Sequence, residues 1–293
     1  MAPPPLSPRP LAPRTPPLPD PHLVAPLDNP RADRVLAVAH LATAAGRRRS
    51  GQFLVEGPHA VTELLLAADR AGRWHVSAMY ATAAAVARHP EVVAAAADGT
   101  RLVEVSDRVM AAMSSAAAPS GVLAIARIPE PQPLQLPAVG FGALLVSVRD
   151  PGNVGTVIRA ADASGAAVVA LSPGCADPFS PKVVRSTAGS LFHLPVTRVA
   201  DTHRAIAEAR GRGWRILATA ADGELSLDDL ARGAGPAPTA PQLWLLGNEA
   251  HGLDVDVRAE ADAVVRIPIR GHAESLNLAM AATLVLFASA RLG

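Results

Sequence analysis

Three short stretches of this chain put glycines, amides, carboxylates and arginine where an apolar run gives way to a turn. The first is Arg149-Asp150-Pro151-Gly152-Asn153-Val154-Gly155-Thr156-Val157-Ile158-Arg159. The second is Leu246-Gly247-Asn248-Glu249-Ala250-His251-Gly252, and the third runs from Ile267 through Arg270-Gly271-His272 to Glu274-Ser275-Leu276-Asn277. Asn153 stands where it can cap a helix, Gly155 permits close backbone approach, and Arg159 falls within the first two turns. The same spacing fits a plain capped helix with a surface arginine. Glu249 follows a tight turn; it reads equally as a tie between loops or as a carboxylate favoured by a helix dipole. Ser275 opens the final helix, where capping and ligand contact would use the same oxygen. Turns at the carboxyl ends of parallel strands are where open α/β sheets bind ligands, so convergence of the three would build a pocket.

Other α/β chemistries lose weight by absence. The chain has no Gly-x-Gly-x-x-Gly after a first strand, no Gly-Lys-Ser/Thr loop and no Gly-x-Ser-x-Gly elbow. His193, His251 and His272 lack metal-ligand spacing, and no metal is expected. A formal net charge of +1 gives no global polybasic signal, so any RNA or DNA contact rests on local patches. Arg47-Arg48-Arg49 and the pair Lys182 and Arg185 are the candidates, the arginine run reading also as a solvated turn. The single cysteine, Cys175, allows no internal disulfide and fits a reducing cytoplasm. No secretory pattern opens the chain, and the apolar run 278–288 is too short for a membrane span.

The elements that must position these residues follow from periodicity. Residues 1–28 are proline-rich, without apolar spacing, and read as a lead-in with no core of its own. Residues 29–128 read as a small three-layer α/β domain. Its expected helices are 33–45, 58–71, 83–97 and 107–114; its strands are 52–57, 74–80, 102–105 and 121–127; residues 47–51 form a basic turn. Residues 129–141 are a proline-rich linker. From 142 to 293, apolar strands alternate with helices, which predicts a mostly parallel sheet covered on both faces. The expected helices there include 154–164, 181–191 and 226–231, and the final helix 278–291 is too apolar to face water on any side.

Taken together, Asn153-x-Gly155-x-x-x-Arg159, Leu246-Gly247-x-Glu249-x-x-Gly252 and Ile267-Pro268-x-x-Gly271-x-x-x-Ser275-Leu276-Asn277 resemble the three motifs of the SpoU (TrmH-type) RNA ribose methyltransferases of the SPOUT superfamily. The likeness covers about residues 143–292, including the segment 177–189; residues 29–128 are similar to the substrate-binding domain of many members. The resemblance implies an α/β fold with a trefoil-knotted catalytic domain behind a small RNA-binding domain. It also implies S-adenosylmethionine as cofactor, rRNA or tRNA as partner, and a homodimer formed through the C-terminal domain. Carried over by position, Asn153, Arg159, Glu249, Ser275 and Asn277 would form the catalytic group. Thr219, Leu246, Gly247, Glu249, Gly252, Ile267, Ile269 and Leu276 would hold the cofactor, largely through backbone groups. Arg270 departs from the family pattern and reads as an added RNA contact or a solvated side chain.

Methyl transfer to a ribose hydroxyl needs that oxygen positioned and its proton lost. A guanidinium is essentially never deprotonated in proteins, so Arg159 is not a literal base. It stabilises developing charge or clamps a phosphate. A non-catalytic RNA-binding or assembly factor that kept this fold is the competing reading.

Overall fold

The computed structural model describes residues 27–96, 102–234, 240–248 and 250–291. The proline-rich lead-in lies outside these, apart from its last two residues. Leu27 is joined to the first domain by a bridge to Val105, and Asp28 by an ion pair to Arg108.

That domain runs α1 (Asp33–His40), α2 (Ala44–Ser50), β1 (Gln52–Glu56), α3 (Pro58–Ala71), β2 (Val76–Ala81), α4 (Ala83–Arg88), α5 (Pro90–Ala95), β3 (Leu102–Glu104), α6 (Asp107–Met113) and β4 (Val122–Arg127). Its strands order as β1-β4-β2-β3, with only β2 and β3 parallel. Alternation along β1 sends Phe53 and Val55 to one face and Leu54 to the other, where α1 and α6 cover it with Val35, Val38, Val109 and Met113. The three layers are as expected. Two helices are not continuous: Pro90 divides the one expected at 83–97, and the one at 33–45 ends at His40.

The second break relocates the basic run. Thr43 Oγ1 accepts the Gly46 N–H at 3.0 Å and starts a new helix, so Arg47-Arg48-Arg49 are helical, not a turn. Arg47 is only 4% exposed. Its Nε and Nη2 donate to Asp177 Oδ2 at 2.9 and 2.7 Å, and its Nη1 donates to the carbonyls of Leu41 and Ala42. A guanidinium engaged in this way cannot also hold a phosphate, which removes Arg47 from the RNA contacts.

The second domain contains β5 (Phe141–Leu145), α7 (Pro151–Ser164), β6 (Val168–Leu171), α8 (Pro181–Thr187), β7 (Val196–Arg198), α9 (Thr202–Gly211), β8 (Arg215–Thr219), β9 (Leu225–Ser226), α10 (Leu227–Ala231), β10 (Gln242–Leu246), α11 (Val255–Ala259), β11 (Ala263–Arg266) and α12 (Leu278–Ala290). Its strands order as β7-β6-β5-β10-β8-β11-β9, and every pairing is parallel. The edge strand β9 was not expected; Ser226 ends it and caps α10 with its hydroxyl. The helix expected at 181–191 stops at Thr187, because Ala188 and Gly189 take positive φ values of 49° and 97°. Gly189 lies against α3, where a Cβ would meet Glu63 Cγ at 2.8 Å.

The linker is not a free spacer. Leu134 and Leu136 are buried among α9 and the sheet, and the Pro137 carbonyl accepts the Trp214 indole N–H at 2.9 Å. Nor are the two domains loosely joined. Phe53 packs on Phe179 and Trp74 on Phe192, each pair with centroids 5.0 Å apart, inside one hydrophobic cluster that runs from β1 to α7.

Candidate active site

In the sheet β10, β8 and β11 are neighbours and parallel, so all three end at the same edge. Beyond that edge lies a cleft of about 800 Å³. Thr219 lines it at the end of β8, Ala220 and Ala221 just after it, Gly247 and Asn248 after β10, and Ile267, Pro268 and Ile269 after β11. The approach to α12 closes it with Glu274, Ser275, Leu276 and Asn277. Strand ends and one helix start thus converge, as the spacing of the sequence predicts.

The turn after β10 is the tightest part of the wall. Asn248 and Gly252 exchange backbone hydrogen bonds, both 2.8 Å, and Gly252 supplies the positive φ of 70° that closes the turn. Gly247 packs so closely on this turn that a Cβ there would lie 2.3 Å from the Gly252 carbonyl carbon and 2.5 Å from Leu253 N. The Asn248 amide donates to the Ser147 carbonyl at 2.9 Å and ties the turn to the end of β5. Asn248 was not among the expected site residues; its place between Gly247 and Glu249 was the available signal. Ala220 and Ala221 carried none, since an alanine pair has no chemical signature.

Of the expected cofactor residues, Thr219, Gly247, Gly252, Ile267, Ile269 and Leu276 line the cleft. Leu246 does not. Its side chain is fully buried, and its carbonyl accepts the Val146 N–H at 2.8 Å. Glu249 lies outside the described residues.

Asn153 and Asn277 meet, although 124 positions separate them: Asn277 Nδ2 donates to Asn153 Oδ1 at 3.1 Å. This contact depends on how the two helices are capped. Asp150, not Asn153, caps α7, accepting the Asn153 N–H at 2.9 Å. That backbone N–H, with Lys182 3.7 Å away, holds the Asp150 carboxyl below its ordinary range. Asn277 caps α12 through Oδ1, which accepts the Ala279 N–H at 2.8 Å, and this leaves its Nδ2 for Asn153. Ser275 is therefore not the cap, and among the described residues its exposed hydroxyl has no hydrogen-bond partner at the cleft rim. Gly155 is required by its surroundings: a Cβ would lie 2.4 Å from Ser186 Cβ, so α7 and α8 sit in close contact.

Arg159 is exposed on α7, has no hydrogen bond or ion pair among the described residues, and does not line the cleft of its own chain. Arg48 and Arg49 are exposed on α2, and Lys182 is exposed on α8. Arg185 is partly committed: its Nη1 donates to the Glu56 carboxylate and to Ser115. Burial pushes the Glu56 carboxyl up, but hydrogen bonds from Ser114 and Ser115 and the Arg185 charge together hold it below its ordinary value. Arg270, between Ile269 and Gly271 of the cleft wall, does not line the cleft; it is exposed and pairs with Asp228 at 3.1 Å.

Comparison with known proteins places the chain in a family. Residues 141–287 match the SpoU rRNA methylase family, and residues 32–124 match the MRM3-like substrate binding domain. The chain belongs to the SpoU rRNA methylase family. It is 31% identical to a Bacillus subtilis 23S rRNA (guanosine(2553)-2'-O)-methyltransferase, over 82% of this chain and 89% of that one. It is 32% identical to a Streptomyces viridochromogenes 23S rRNA (uridine(2479)-2'-O)-methyltransferase, with 84% of each chain covered. Among solved structures it resembles the AdoMet-bound rRNA methyltransferase of Sinorhizobium meliloti, with a TM-score of 0.77, 31% identity, and 90% and 97% of the two chains covered. This SpoU-family chain has the relatives' two-part architecture, an α/β substrate-binding domain followed by a parallel-sheet catalytic domain.

Proposed function

We infer that this protein transfers a methyl group from S-adenosylmethionine to a ribose 2'-hydroxyl of structured RNA, with rRNA as the substrate class. The observation that carries this is the meeting of three strand ends and the α12 start around one cleft, with the Asn153–Asn277 contact at its rim. The cleft suits the cofactor. Its volume of about 800 Å³ is within the range for small-molecule sites, and its walls mix backbone groups with Ile267, Leu276 and Leu278. Gly247 brings bare backbone to the ligand where no side chain fits. Gly247, Ile267, Ile269, Leu276, Thr219 and Gly252 would hold the cofactor.

When bound, S-adenosylmethionine supplies a methyl on a sulfonium, whose departure needs no acid. The chain must orient the ribose and favour loss of its proton. The Ser275 hydroxyl and the Asn277 amide face the cleft from the rim and suit a sugar; Asn153 fixes the Asn277 amide. A guanidinium from Arg159 stabilises the charge growing on the 2'-oxygen, and the proton leaves to a phosphate oxygen or water. Glu249 belongs to this group by its place in the motif.

A second copy completes the site. Met280, Leu284 and Phe287 are 62%, 45% and 40% exposed, one apolar stripe on α12 that begins a turn after Asn277. Thr156, Arg159 and Ala163 form the exposed stripe of α7, which packs against α12. Two copies joined through these faces would cover the apolar stripe and carry each Arg159 to the other chain's cleft. The return of α12 from the β11 edge to α7 and β5 also supports the knotted path that the resemblance implies. Among the described residues no helix is long and apolar enough to cross a membrane, and rRNA as substrate puts the reaction in the cytoplasm.

Two measurements test this reading. Calorimetry should show S-adenosylmethionine binding, and ribose-methylation mapping of rRNA from cells with and without the gene should show one methylated site missing. Absence of any cofactor heat would favour the non-catalytic assembly factor. For the RNA contacts, Arg48→Ala with Arg49→Ala should weaken RNA binding and reduce the slope of log affinity against log salt by about 2, one for each phosphate no longer neutralised. An unchanged slope would mark both arginines as solvated bystanders.

A further inference from the structure

His193 follows the short 3-10 turn Ser190–Phe192, where the second domain meets α3 of the first. Its ring lies between two carboxylates. Nδ1 is 2.7 Å from Asp162 Oδ2 on α7, and Nε2 is 3.0 Å from Glu63 Oε2 on α3. We propose that His193, as the imidazolium, fastens the substrate-binding domain to α7 and is a positioning residue for the Arg159 and Asn153 side chains that α7 carries. Its activity readout rests on the proposed methyltransfer, and its titration does not.

The argument is one of donors and acceptors. Ionised carboxylates only accept hydrogen bonds, and a neutral imidazole has a single N–H. It can serve Asp162 or Glu63, leaving a lone pair facing the other carboxylate. Only the protonated ring donates to both and offsets their mutual repulsion. The two carboxylates favour that state. Besides Glu63 and Asp162 there is His59 on α3, 3.9 Å from Glu63 Oε1. Arg73, beyond α3, is directed at the Val196 carbonyl instead. Arg159, the next charge on α7, is one turn before Asp162 and has no partner among the described residues.

Burial is the largest single influence on His193 and pushes its pKa down, but the hydrogen bonds and charges of Asp162 and Glu63 together raise it above the ordinary 6.5. A folded-state pKa above the unfolded value has a definite sign. The latch contributes fully below pH 6.5 and is lost as pH rises through the raised value. The mechanical consequence is local. Asp162 lies three residues beyond Arg159 on one continuous helix, and Glu63 also packs against Gly189, at the end of α8's exit turn. Protonation thus tightens the joint at which α3 meets the exit of α8 and the last turn of α7.

The test uses the full chain. Ring resonances of the nine histidines are followed by NMR across pH 5 to 9, with His193 assigned by its loss in His193→Gln. Its pKa should lie above 6.5, and Glu63→Gln and Asp162→Asn should each lower it. In parallel, kcat and KM for RNA methylation are measured against pH for the parent and His193→Gln. The parent should exceed the variant several-fold in kcat below the His193 pKa, and the ratio should fall towards one above it, with KM for S-adenosylmethionine unchanged. His193→Lys, permanently charged, should restore part of the difference and flatten its pH dependence. A His193 pKa at or below 6.5 that neither amide variant moves would overturn the latch. A normal titration with a pH-independent activity ratio would overturn its positioning role. Either result leaves cofactor binding, and so the methyltransferase reading, untouched.

Discussion

Arg159→Ala is expected to lower kcat for methyl transfer by roughly 10²–10³-fold while S-adenosylmethionine still binds, the loss seen when one preorganised donor to a developing oxyanion is removed. The expectation comes from position: Arg159 is exposed, without a partner among the described residues, and outside its own cleft. Its removal should therefore cost little stability, unlike removal of Arg47, whose buried charge pairs with Asp177. Arg159→Lys keeps the charge and loses the planar fork, so it should recover only a minor part of the rate. Near-normal single-turnover methylation by the lysine variant would remove the clamp from the mechanism. Mixing decides which chain the arginine serves. Arg159→Ala retains an intact cofactor cleft, and Gly247→Val retains Arg159. Re-associated from denaturant in equal amounts, half of the dimers contain one chain of each kind. If Arg159 acts across the interface, one site in each such dimer is complete, giving roughly a quarter of parental activity for a two-fold symmetric assembly. If it acts within its own chain, the mixture stays as inactive as its parts. Sedimentation of the parent as a monomer at micromolar concentration would dispose of the shared site altogether.

What the sequence made legible is what local chemistry encodes. The parallel sheet could be read from apolar strands alternating with helices, and the cleft from small and polar residues at strand ends. Asp150 and Asn153 show the limit. Either side chain can cap a helix, and spacing does not say which does so when Pro151 allows the helix to begin two residues earlier than Asn153. Asn277 and Ser275 pose the same ambiguity at α12, resolved by the contact to Asn153 from a distant segment. Arg47 escapes a reading from sequence for a related reason. A run of three arginines looks solvated, and the carboxylate that buries the first of them is 130 positions away. Leu246 departs in the opposite sense: strand ends alternate their backbone groups between sheet and solvent, and a one-residue difference puts its carbonyl into the ladder with Val146. The two-residue strand β9 is too short for any period to register.

Gly247→Ala should weaken cofactor binding severely while leaving the fold intact, and Gly213, outside the cleft, provides the control. A methyl on residue 247 would lie 2.3 Å from the Gly252 carbonyl carbon and 2.5 Å from its oxygen. Those are backbone atoms and cannot rotate aside, so the 247–252 turn must move as a unit. Overpacking of this kind costs about 1–3 kcal/mol, which a domain of this size survives. The cleft does not survive it, because the same turn forms the wall where backbone meets ligand and ångström-scale errors in position are costly. A loss of affinity for S-adenosylmethionine of at least about 100-fold is expected, equivalent to roughly 2.7 kcal/mol. At Gly213, which lies outside the cleft, the situation is reversed: its φ is 81°, and a Cβ meets nothing within 4 Å. Substitution there incurs only left-handed backbone strain, about 1–2 kcal/mol for alanine and less for asparagine. Gly213→Asn should therefore bind the cofactor within a few-fold of the parent. Calorimetry on the two variants, with thermal melts to confirm folding, reads the contrast directly. Equal affinities for Gly247→Ala and the parent would mean that the ligand does not rest on this turn, and the cleft would then have to be assigned to another use.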